Sequence, residues 1–301
     1  MIEVVGLGQC CIDYLTLIED YPSENQKIEF DRLLIQGGGP VATALVCLSR
    51  LGRRTALIGQ VGDDAFGPLI RQGLVQEGVD VTHLQTVAKG GSQFAFILAN
   101  PSRASRTIFW TRGSAGALQP KDLPAGLIKE ARVLHLDGLM AEASLAAARL
   151  ARQAKTAVVV DAGTLRPHSL KLAALVDHLL VSEVFAQAFA PGLPAEETVR
   201  KLKGLGPQTA VVSLGARGAV GWDGRSLVRW PAYRVEAIDT TGAGDAFHGG
   251  YIHALLAGWD LKDRLRWASA VAALNCTALG GRTALPDQET VREFIRNNPG
   301  P

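Results

Sequence analysis

Short apolar segments alternate with segments of helical spacing through most of the sequence, and this alternation constrains the fold more than any other feature. Apolar runs rich in valine and leucine occupy residues 133–136, 157–161 and 178–181, and each precedes a stretch with the pattern of a helix. Strands that are apolar along their whole length are typical of a parallel sheet buried on both faces. The pattern therefore predicts an α/β fold with a central, mostly parallel sheet and helices on both faces.

Two stretches interrupt this alternation. Residues 14–34 are polar and irregular, and residues 93–110 contain two strand-like runs around a turn at 100–103. A hairpin in the second stretch could pair with strands in the first to form a small second sheet. The chain then divides into a core of residues 1–13, 35–88 and 114–301 and a small β-sheet unit of residues 14–34 and 89–113.

Length, charge and cysteine spacing exclude several classes of protein. The chain has 301 residues, 47% of them hydrophobic, and a net charge of +2, which suits one or two globular domains. It has no dense block of basic residues, so we expect no nucleic-acid partner. The four cysteines lack zinc-site spacing. The N-terminus lacks the basic segment of a signal peptide, and no apolar run is long enough to span a membrane, so we expect a cytoplasmic protein without a membrane partner.

A glycine-rich loop between Asp239 and Asp245 leads directly into an apolar, helix-like segment. Gly242, Ala243 and Gly244 leave their backbone N–H groups almost uncovered, and the start of a helix adds the positive end of its dipole. Such a loop can hold a phosphate or a developing negative charge. Asp245 beside it is better suited to accept a proton than to bind the anion. The alternative is an aspartate that only caps the helix, which leaves the two neighbouring threonines and two glycines unexplained.

A second glycine loop, Gly37-Gly38-Gly39, precedes a predicted helix. It matches the dinucleotide pattern Gly-x-Gly-x-x-[Gly/Ala], but no acidic residue ends the next predicted strand to hold a ribose. The sequence also contains no P-loop motif. The three glycines are therefore interpreted as a place where the backbone closely approaches a small polar ligand.

A third glycine turn contains Ser213, Gly215 and Gly218 after a predicted strand, and by itself it could be a nucleotide wall or an ordinary turn. Taken together, the three loops resemble those of the ribokinase-like (PfkB) carbohydrate kinase family in order and spacing over essentially the whole chain. The resemblance implies a ribokinase-like fold in which the small sheet is a lid over a sugar site. It also implies an enzyme that transfers the γ-phosphoryl group of ATP, with Mg²⁺, to a hydroxyl of a small sugar.

The resemblance assigns roles to the residues of these loops. Asp245 would be the general base that takes the proton of the sugar hydroxyl, and the amides of Gly242, Ala243 and Gly244 would hold charge on the phosphoryl oxygens. Asp13 would bind a sugar hydroxyl, beside the glycine loop at residues 37–39. The residues that would contact the nucleotide are Ser213, Gly215, Gly218, Ala272 and Cys276.

The metal sites implied by the resemblance are less regular. The family often has Asn-x-x-Glu where this chain has Ser182-Glu183-Val184-Phe185, so Glu183, one position away, is the candidate that would organise Mg²⁺. Asp239 and Thr241 could ligate a monovalent cation such as K⁺, as in some relatives, or they could only cap the loop.

The detail around Gly37 and at residues 280–282 resembles the sulfofructose kinase and ketohexokinase side of the family, which favours a ketohexose or an acidic sugar. Lys27 and Arg112 could then contact an anionic group on the sugar, although basic side chains are more often solvated. A nucleoside kinase of the same family and a non-catalytic sugar or nucleotide sensor are the alternatives. Exposed lid strands in such folds often pair between subunits, so a homodimer through the lid is a further expectation.

Overall fold

Fourteen strands form two separate sheets in the computed structural model, which describes residues 1–103 and 105–300. The strands are β1 (Val4–Leu7), β2 (Cys11–Leu17), β3 (Leu34–Gly38), β4 (Thr55–Gly62), β5 (Val79–Asp80), β6 (Leu84–Val87), β7 (Phe94–Asn100), β8 (Ser105–Thr111), β9 (Val133–Leu136), β10 (Ala157–Ala162), β11 (His178–Ser182), β12 (Thr209–Ser213), β13 (Ala219–Trp222) and β14 (Leu227–Trp230). The helices are α1 (Pro40–Arg50), α2 (Phe66–Gln76), α3 (Ala125–Glu130), α4 (Ala141–Ala154), α5 (Ser169–Ala173), α6 (Glu183–Phe189), α7 (Ala195–Lys203), α8 (Ala243–Leu256), α9 (Leu261–Asn275) and α10 (Gln288–Asn297).

The larger sheet has ten strands in the order β14-β13-β12-β11-β10-β9-β1-β4-β5, with β6 also paired to β4. All neighbouring strands of this sheet are parallel except at one edge. At that edge, β13 pairs antiparallel with both β12 and β14. The predicted central, mostly parallel sheet is confirmed.

Apolar side chains of successive strand residues enter two different cores. In β1, for example, Val4 belongs to the core beneath α1, α8 and α9, whereas Val5 belongs to the core beneath α3, α4 and α7. Successive side chains of a strand point to opposite faces, so an apolar side chain at every position is what a sheet covered on both faces requires. The sequence pattern and the layered architecture therefore have the same physical origin.

The smaller sheet, here called the lid, has the order β3-β2-β7-β8. β2 begins at Cys11 and β3 ends at Gly38, so the lid includes residues that the sequence division put in the core, whereas residues 18–33 contain no strand. Asp13 consequently lies in a lid strand, paired with Gln36, rather than at an edge of the larger sheet. The turn between β1 and β2 is so short, with apolar residues on both sides, that the sequence pattern does not reveal it.

No helix in the described part of the chain is long and apolar enough to cross a membrane.

Candidate active site

A cavity of about 540 Å³ lies between the lid and the carboxyl ends of the central strands. Asp161 in β10, Ser182 in β11 and Ser213 in β12 contribute polar side chains from below, and Arg106 and Trp110 of β8 close the cavity from the lid side. In open α/β sheets, ligands bind at the carboxyl ends of the strands. The cavity therefore has the position expected of a ligand site.

This cavity brings together seven of the residues that the sequence singled out. They are Asp13, Gly39, Ser213, Thr241, Gly242, Gly244 and Asp245. Eleven others lie outside its lining: Lys27, Gly37, Gly38, Arg112, Glu183, Gly215, Gly218, Asp239, Ala243, Ala272 and Cys276.

The glycine-rich loop before α8 forms a backbone cradle at one end of the cavity. Gly242 has a left-handed conformation, with φ of 72°, and it turns the chain into the helix. The amides of Gly242, Gly244 and Asp245 find no hydrogen-bond acceptor among the described residues, whereas the Ala243 amide donates to the Thr240 carbonyl at 3.3 Å. The free N–H donors therefore include Asp245 in place of the predicted Ala243, whose amide is used in the turn.

A buried carboxylate holds this cradle in shape. Asp239 accepts hydrogen bonds from the amide of Thr241 at 2.9 Å, from its hydroxyl at 2.8 Å and from the amide of Gly280 at 2.9 Å. A Cβ on Gly242 would lie 2.7 Å from the Cα of Gly281, so only glycine fits there. The cradle is therefore fixed by contacts with the loop after α9 before any ligand arrives, as electrostatic preorganisation requires.

Asp245 lies in the first turn of α8 and lines the cavity. Burial raises the pKa of its carboxyl well above the usual value, and the carboxylates of Asp161 and Asp13 raise it further, while Arg106 and Arg282 act in the opposite direction. A carboxylate in such surroundings holds a proton more tightly than a solvated aspartate does. Its environment thus suits a group that accepts a proton during a reaction.

A carboxylate and two histidines pack beneath the cradle. His248 lies with its Nδ1 2.6 Å from the Gly244 carbonyl and 3.5 Å from Oδ2 of Asp161, and its ring stacks on that of His135. Burial lowers the pKa of His248 to about 4 and raises that of Asp161 to about 6. His248 is therefore neutral near pH 7, when Asp161 is ionised, and it fixes the first turn of α8 by donating from Nδ1 to a carbonyl.

At the lid end of the cavity, glycines 37 and 38 make room for protein side chains. A Cβ on Gly38 would overlap the carboxylate of Asp13, and one on Gly37 would overlap the guanidinium of Arg282. Gly39, with φ of 95°, does line the cavity. Gly37 and Gly38 do not line the cavity, and Arg282 and Asp13 occupy the space where their side chains would lie, so a ligand surface at these two glycines stays a prediction.

The cavity contains cationic side chains, but they are not the predicted ones. Lys27 and Arg112 are exposed and lie outside it, whereas Arg106 and Arg166 line it. Nη1 of Arg106 donates to the hydroxyl of Thr240 at 2.9 Å, which links lid strand β8 to the cradle. The two-residue period of a strand identifies which residues share the face of Arg106, but the sequence does not show which face is turned inward.

The turn after β12 is shaped by close backbone packing. The hydroxyl of Ser213 donates to the Val181 carbonyl at 3.4 Å and lines the cavity. Gly218 has φ of 87°, and a Cβ there would overlap the carbonyl of Trp230. Cys276 follows α9, where its carbonyl accepts a hydrogen bond from the amide of Asp239 at 3.3 Å. Of the predicted nucleotide residues, therefore, only Ser213 lines the cavity itself.

Comparison with known proteins identifies the family. The profile described as pfkB family carbohydrate kinase matches residues 1–288. The chain belongs to this family. It is 28% identical over 298 residues to a nucleoside kinase of Methanothermobacter thermautotrophicus, covering 97% of this chain and 95% of the relative. It is 32% identical over 315 residues to a 2-dehydro-3-deoxygluconokinase of Thermoproteus tenax, covering 98% and 95%. The structure of Arabidopsis thaliana ribokinase complexed with ribose and ATP superposes with a TM-score of 0.85 at 24% identity, covering 98% of this chain and 99% of that one.

This pfkB family member departs from the Asn-x-x-Glu pattern in structure as well as in sequence. Glu183 forms an ion pair with Arg217 outside the cavity, and Phe185, which replaces the usual glutamate, is fully buried in the core. No cluster of three potential metal-ligating side chains occurs among the described residues. Asp161 carries no sequence signal other than its position at the end of a buried strand, yet it lines the cavity.

Proposed function

We propose that this protein transfers the γ-phosphoryl group of ATP to a hydroxyl of a small sugar. The observation that carries the proposal is the position of Asp245, whose buried carboxyl lines the cavity beside the unpaired amides of the cradle. In the reaction, the sugar oxygen forms a bond to the γ-phosphorus while its proton passes to Asp245, and the bond from the γ-phosphorus to the β–γ bridging oxygen breaks to leave ADP. The amides of Gly242, Gly244 and Asp245 donate to the phosphoryl oxygens as charge develops on them.

We assign the lid end of the cavity to the sugar and the cradle end to the transferring phosphoryl group. Asp13 lies in the lid and lines the cavity, so we assign it to the sugar hydroxyls. Arg106 reaches from the lid to Thr240 at the cradle, and its charge is placed to stabilise the transferring phosphoryl group. Because the lid carries both residues, its closure would exclude water that otherwise competes as the acceptor.

ATP and Mg²⁺ are the cofactors of this proposal. The Arabidopsis relative was solved with ribose and ATP, and Ser213 and its turn are the candidate wall for the nucleotide. The carboxylate of Asp161 lines the cavity, and among the described residues its nearest donor is Nδ1 of His248 at 3.5 Å. A carboxylate with free oxygens suits a hydrated Mg²⁺. When bound, Mg²⁺ neutralises phosphate charge. K⁺ at Asp239 and Thr241 is a further candidate, to be tested by replacing K⁺ with tetramethylammonium in the assay.

The sugar is the less constrained half of the proposal. A ketohexose or an acidic sugar, as in the sulfofructose kinase and ketohexokinase branch, fits a cavity lined by Arg106 and Arg166. A nucleoside is the second candidate, because Phe94, Ile108 and Trp110 also line the cavity and could pack against a base. The relative from Methanothermobacter thermautotrophicus that is named a nucleoside kinase adds support to this alternative.

Asp245→Asn tests the proposed chemistry. Sugars, sugar acids, sulfosugars and nucleosides are first screened with the wild-type protein by acceptor-stimulated ADP release. The variant should then bind ATP with unchanged affinity and lose about 10²- to 10⁴-fold in kcat, the usual contribution of a general base. Asp263→Asn, in the first turn of α9, is the matched control and should keep full turnover. Near-normal turnover by Asp245→Asn contradicts the mechanism.

We also propose that the protein forms a homodimer through the outer face of the lid. Ile35, Tyr14, Phe96 and Phe109 are paired in register across all four lid strands, and Phe96 and Phe109 are 49% and 59% exposed. Phe66 of α2 packs against Tyr14, whereas Phe96 and Phe109 remain exposed. An apolar row of this kind on an exposed sheet suggests a protein–protein interface.

A further inference from the structure

Arg282 is a buried arginine that takes no part in the mechanism described above. It lies in the loop after α9, only 3% exposed. Its Nη2 donates to the Gly38 carbonyl at 2.9 Å, its Nε to the Thr43 hydroxyl at 3.2 Å, and its backbone N–H to Oε1 of Gln36 at 2.9 Å. Charged side chains are rarely buried unless their donors are satisfied, and these bonds hold the guanidinium against the glycine loop.

The surroundings of Arg282 are adapted to this arrangement. A side chain on Gly37 would collide with Nη1 of Arg282, and a side chain on Gly38 would collide with the carboxylate of Asp13. Arg282 forms no salt bridge with a described residue, so its charge is free to act over a short distance on Asp13. Burial raises the pKa of Asp13 and the charge of Asp239 raises it further, whereas the Cys11 thiol and the Arg282 guanidinium lower it. Asp13 in turn raises the pKa of Asp245.

The loop that carries Arg282 also contacts the phosphate end of the cavity. The amide of Gly280 donates to Asp239, the residue that braces the cradle. Gly281 packs against Gly242 so closely that a Cβ on Gly242 would not fit. Residues 280–282 thus contact the cradle through two backbone groups and the sugar end through the side chain and the backbone N–H of Arg282.

We infer that Arg282 is a positioning residue for sugar binding, which acts through the backbone of Gly38 and the carboxylate of Asp13. Its guanidinium fixes β3 beside Asp13, and its loop sets the separation between Asp13 and the phosphate cradle. The inference rests on the proposed function and extends it to a residue that does not line the cavity. A residue that only stabilises the fold would affect sugar and ATP alike, whereas a positioning residue at the sugar end affects the sugar selectively.

Arg282→Met tests this inference because methionine keeps much of the side-chain length and removes the hydrogen bonds and the charge. With the acceptor found by the ADP screen, the KM for the acceptor should rise about tenfold or more while the KM for ATP stays within about twofold. Arg282→Lys keeps the charge without the planar fork, so it should recover part of the acceptor affinity. Equal changes in both KM values, or none, would overturn the inference.

Two further variants keep the test decisive if Arg282→Met does not fold. Gly37→Ala pushes a methyl group against the guanidinium, and Thr43→Val removes the acceptor of Nε, and both leave the arginine in place. Each should raise the acceptor KM in the same selective way. Gly73→Ala, at a helical glycine with open space around it, is the matched control and should change neither KM.

Hydrogen exchange separates failure of this inference from failure of the proposed function. If no acceptor stimulates ADP release from the wild-type protein, the proposed function fails. The amides of residues 36–43 should still exchange faster in Thr43→Val and Gly37→Ala than in wild type, without a matching change in α4. Unchanged exchange in that segment would overturn the role of Arg282 whatever the activity.

Discussion

The carboxyl of Asp161 offers a quantitative test of the electrostatics beneath the cradle. Burial raises its pKa from the ordinary value of 3.8 to about 6, and its side chain is only 14% exposed, so solvent screens it weakly. At about 1.4 kcal/mol for each pKa unit, ionising this carboxyl costs the native state about 3 kcal/mol. Asp161→Asn removes that cost and keeps the shape of the side chain.

The sign of the pH dependence follows from the two pKa values. The unfolded chain releases this proton near pH 3.8 and the native protein near pH 6, so the wild type loses stability as the pH rises through this window. The amide has no proton to release. The stability advantage of Asp161→Asn should therefore grow by about 1.4 kcal/mol between pH 5 and pH 8, or roughly 2 °C in Tm for a chain of this length.

Thermal unfolding at pH 5, 6, 7 and 8, without nucleotide and with a chelator, measures this difference. Asp80→Asn is the control, because hydrogen bonds from Thr82 lower the pKa of Asp80; this variant should be less stable than wild type by an amount that does not change from pH 5 to pH 8. A difference between Asp161→Asn and wild type that is equal at pH 5 and pH 8 would refute the reasoning. In activity assays, the acid limb of kcat/KM should move to lower pH, because after burial the charge of Asp161 is the next cause of the raised pKa of Asp245.

Three other variants test separate parts of the molecule. Gly242→Ala should lower Tm and reduce kcat more than tenfold, because its backbone is left-handed and its Cβ would lie 2.7 Å from Gly281; a normal Tm would contradict the cradle geometry. Arg106→Gln should reduce kcat about 10- to 100-fold at unchanged Tm, since the one side-chain hydrogen bond of Arg106 to a described residue is the bond to Thr240, and unchanged kinetics would remove it from the site. Phe109→Glu, at a side chain that is 59% exposed, should yield a folded monomer by light scattering, and wild-type protein that is already monomeric would dismiss the lid dimer.

The larger sheet could be predicted because its strands carry apolar residues at nearly every position. Strand β9 has the bounds that the sequence predicts, residues 133–136, and helix α4 follows it as the pattern predicts. The lid was harder to delimit because its strands are apolar on both faces for different reasons. Leu15 packs inward, whereas Phe96 remains exposed, and nothing in the pattern separates packing within the chain from contact with another molecule.

The candidate site was predictable where backbone geometry carries the chemistry. The glycines before Asp245 predict an anion-binding loop because few other residues permit that turn. Long side chains such as Arg106 and Arg282 were not predictable, since their guanidinium groups lie far along the side chain from the backbone and reach partners distant in sequence. Lys27 and Arg112 were equally basic in sequence, yet both are exposed and lie outside the cavity lining.

The sequence by itself determined the layered α/β architecture, the carboxylate Asp245 and the glycine-rich cradle before α8, because these depend on local periodicity and on backbone conformations that few residues allow. Only the tertiary structure decided that Gly37 and Gly38 accommodate Arg282 and Asp13. It also decided that Asp161 reaches the cavity and that Glu183 does not. These outcomes depend on which strand ends and loops lie next to each other in the folded chain. Local sequence patterns do not specify contacts between residues that are distant in sequence.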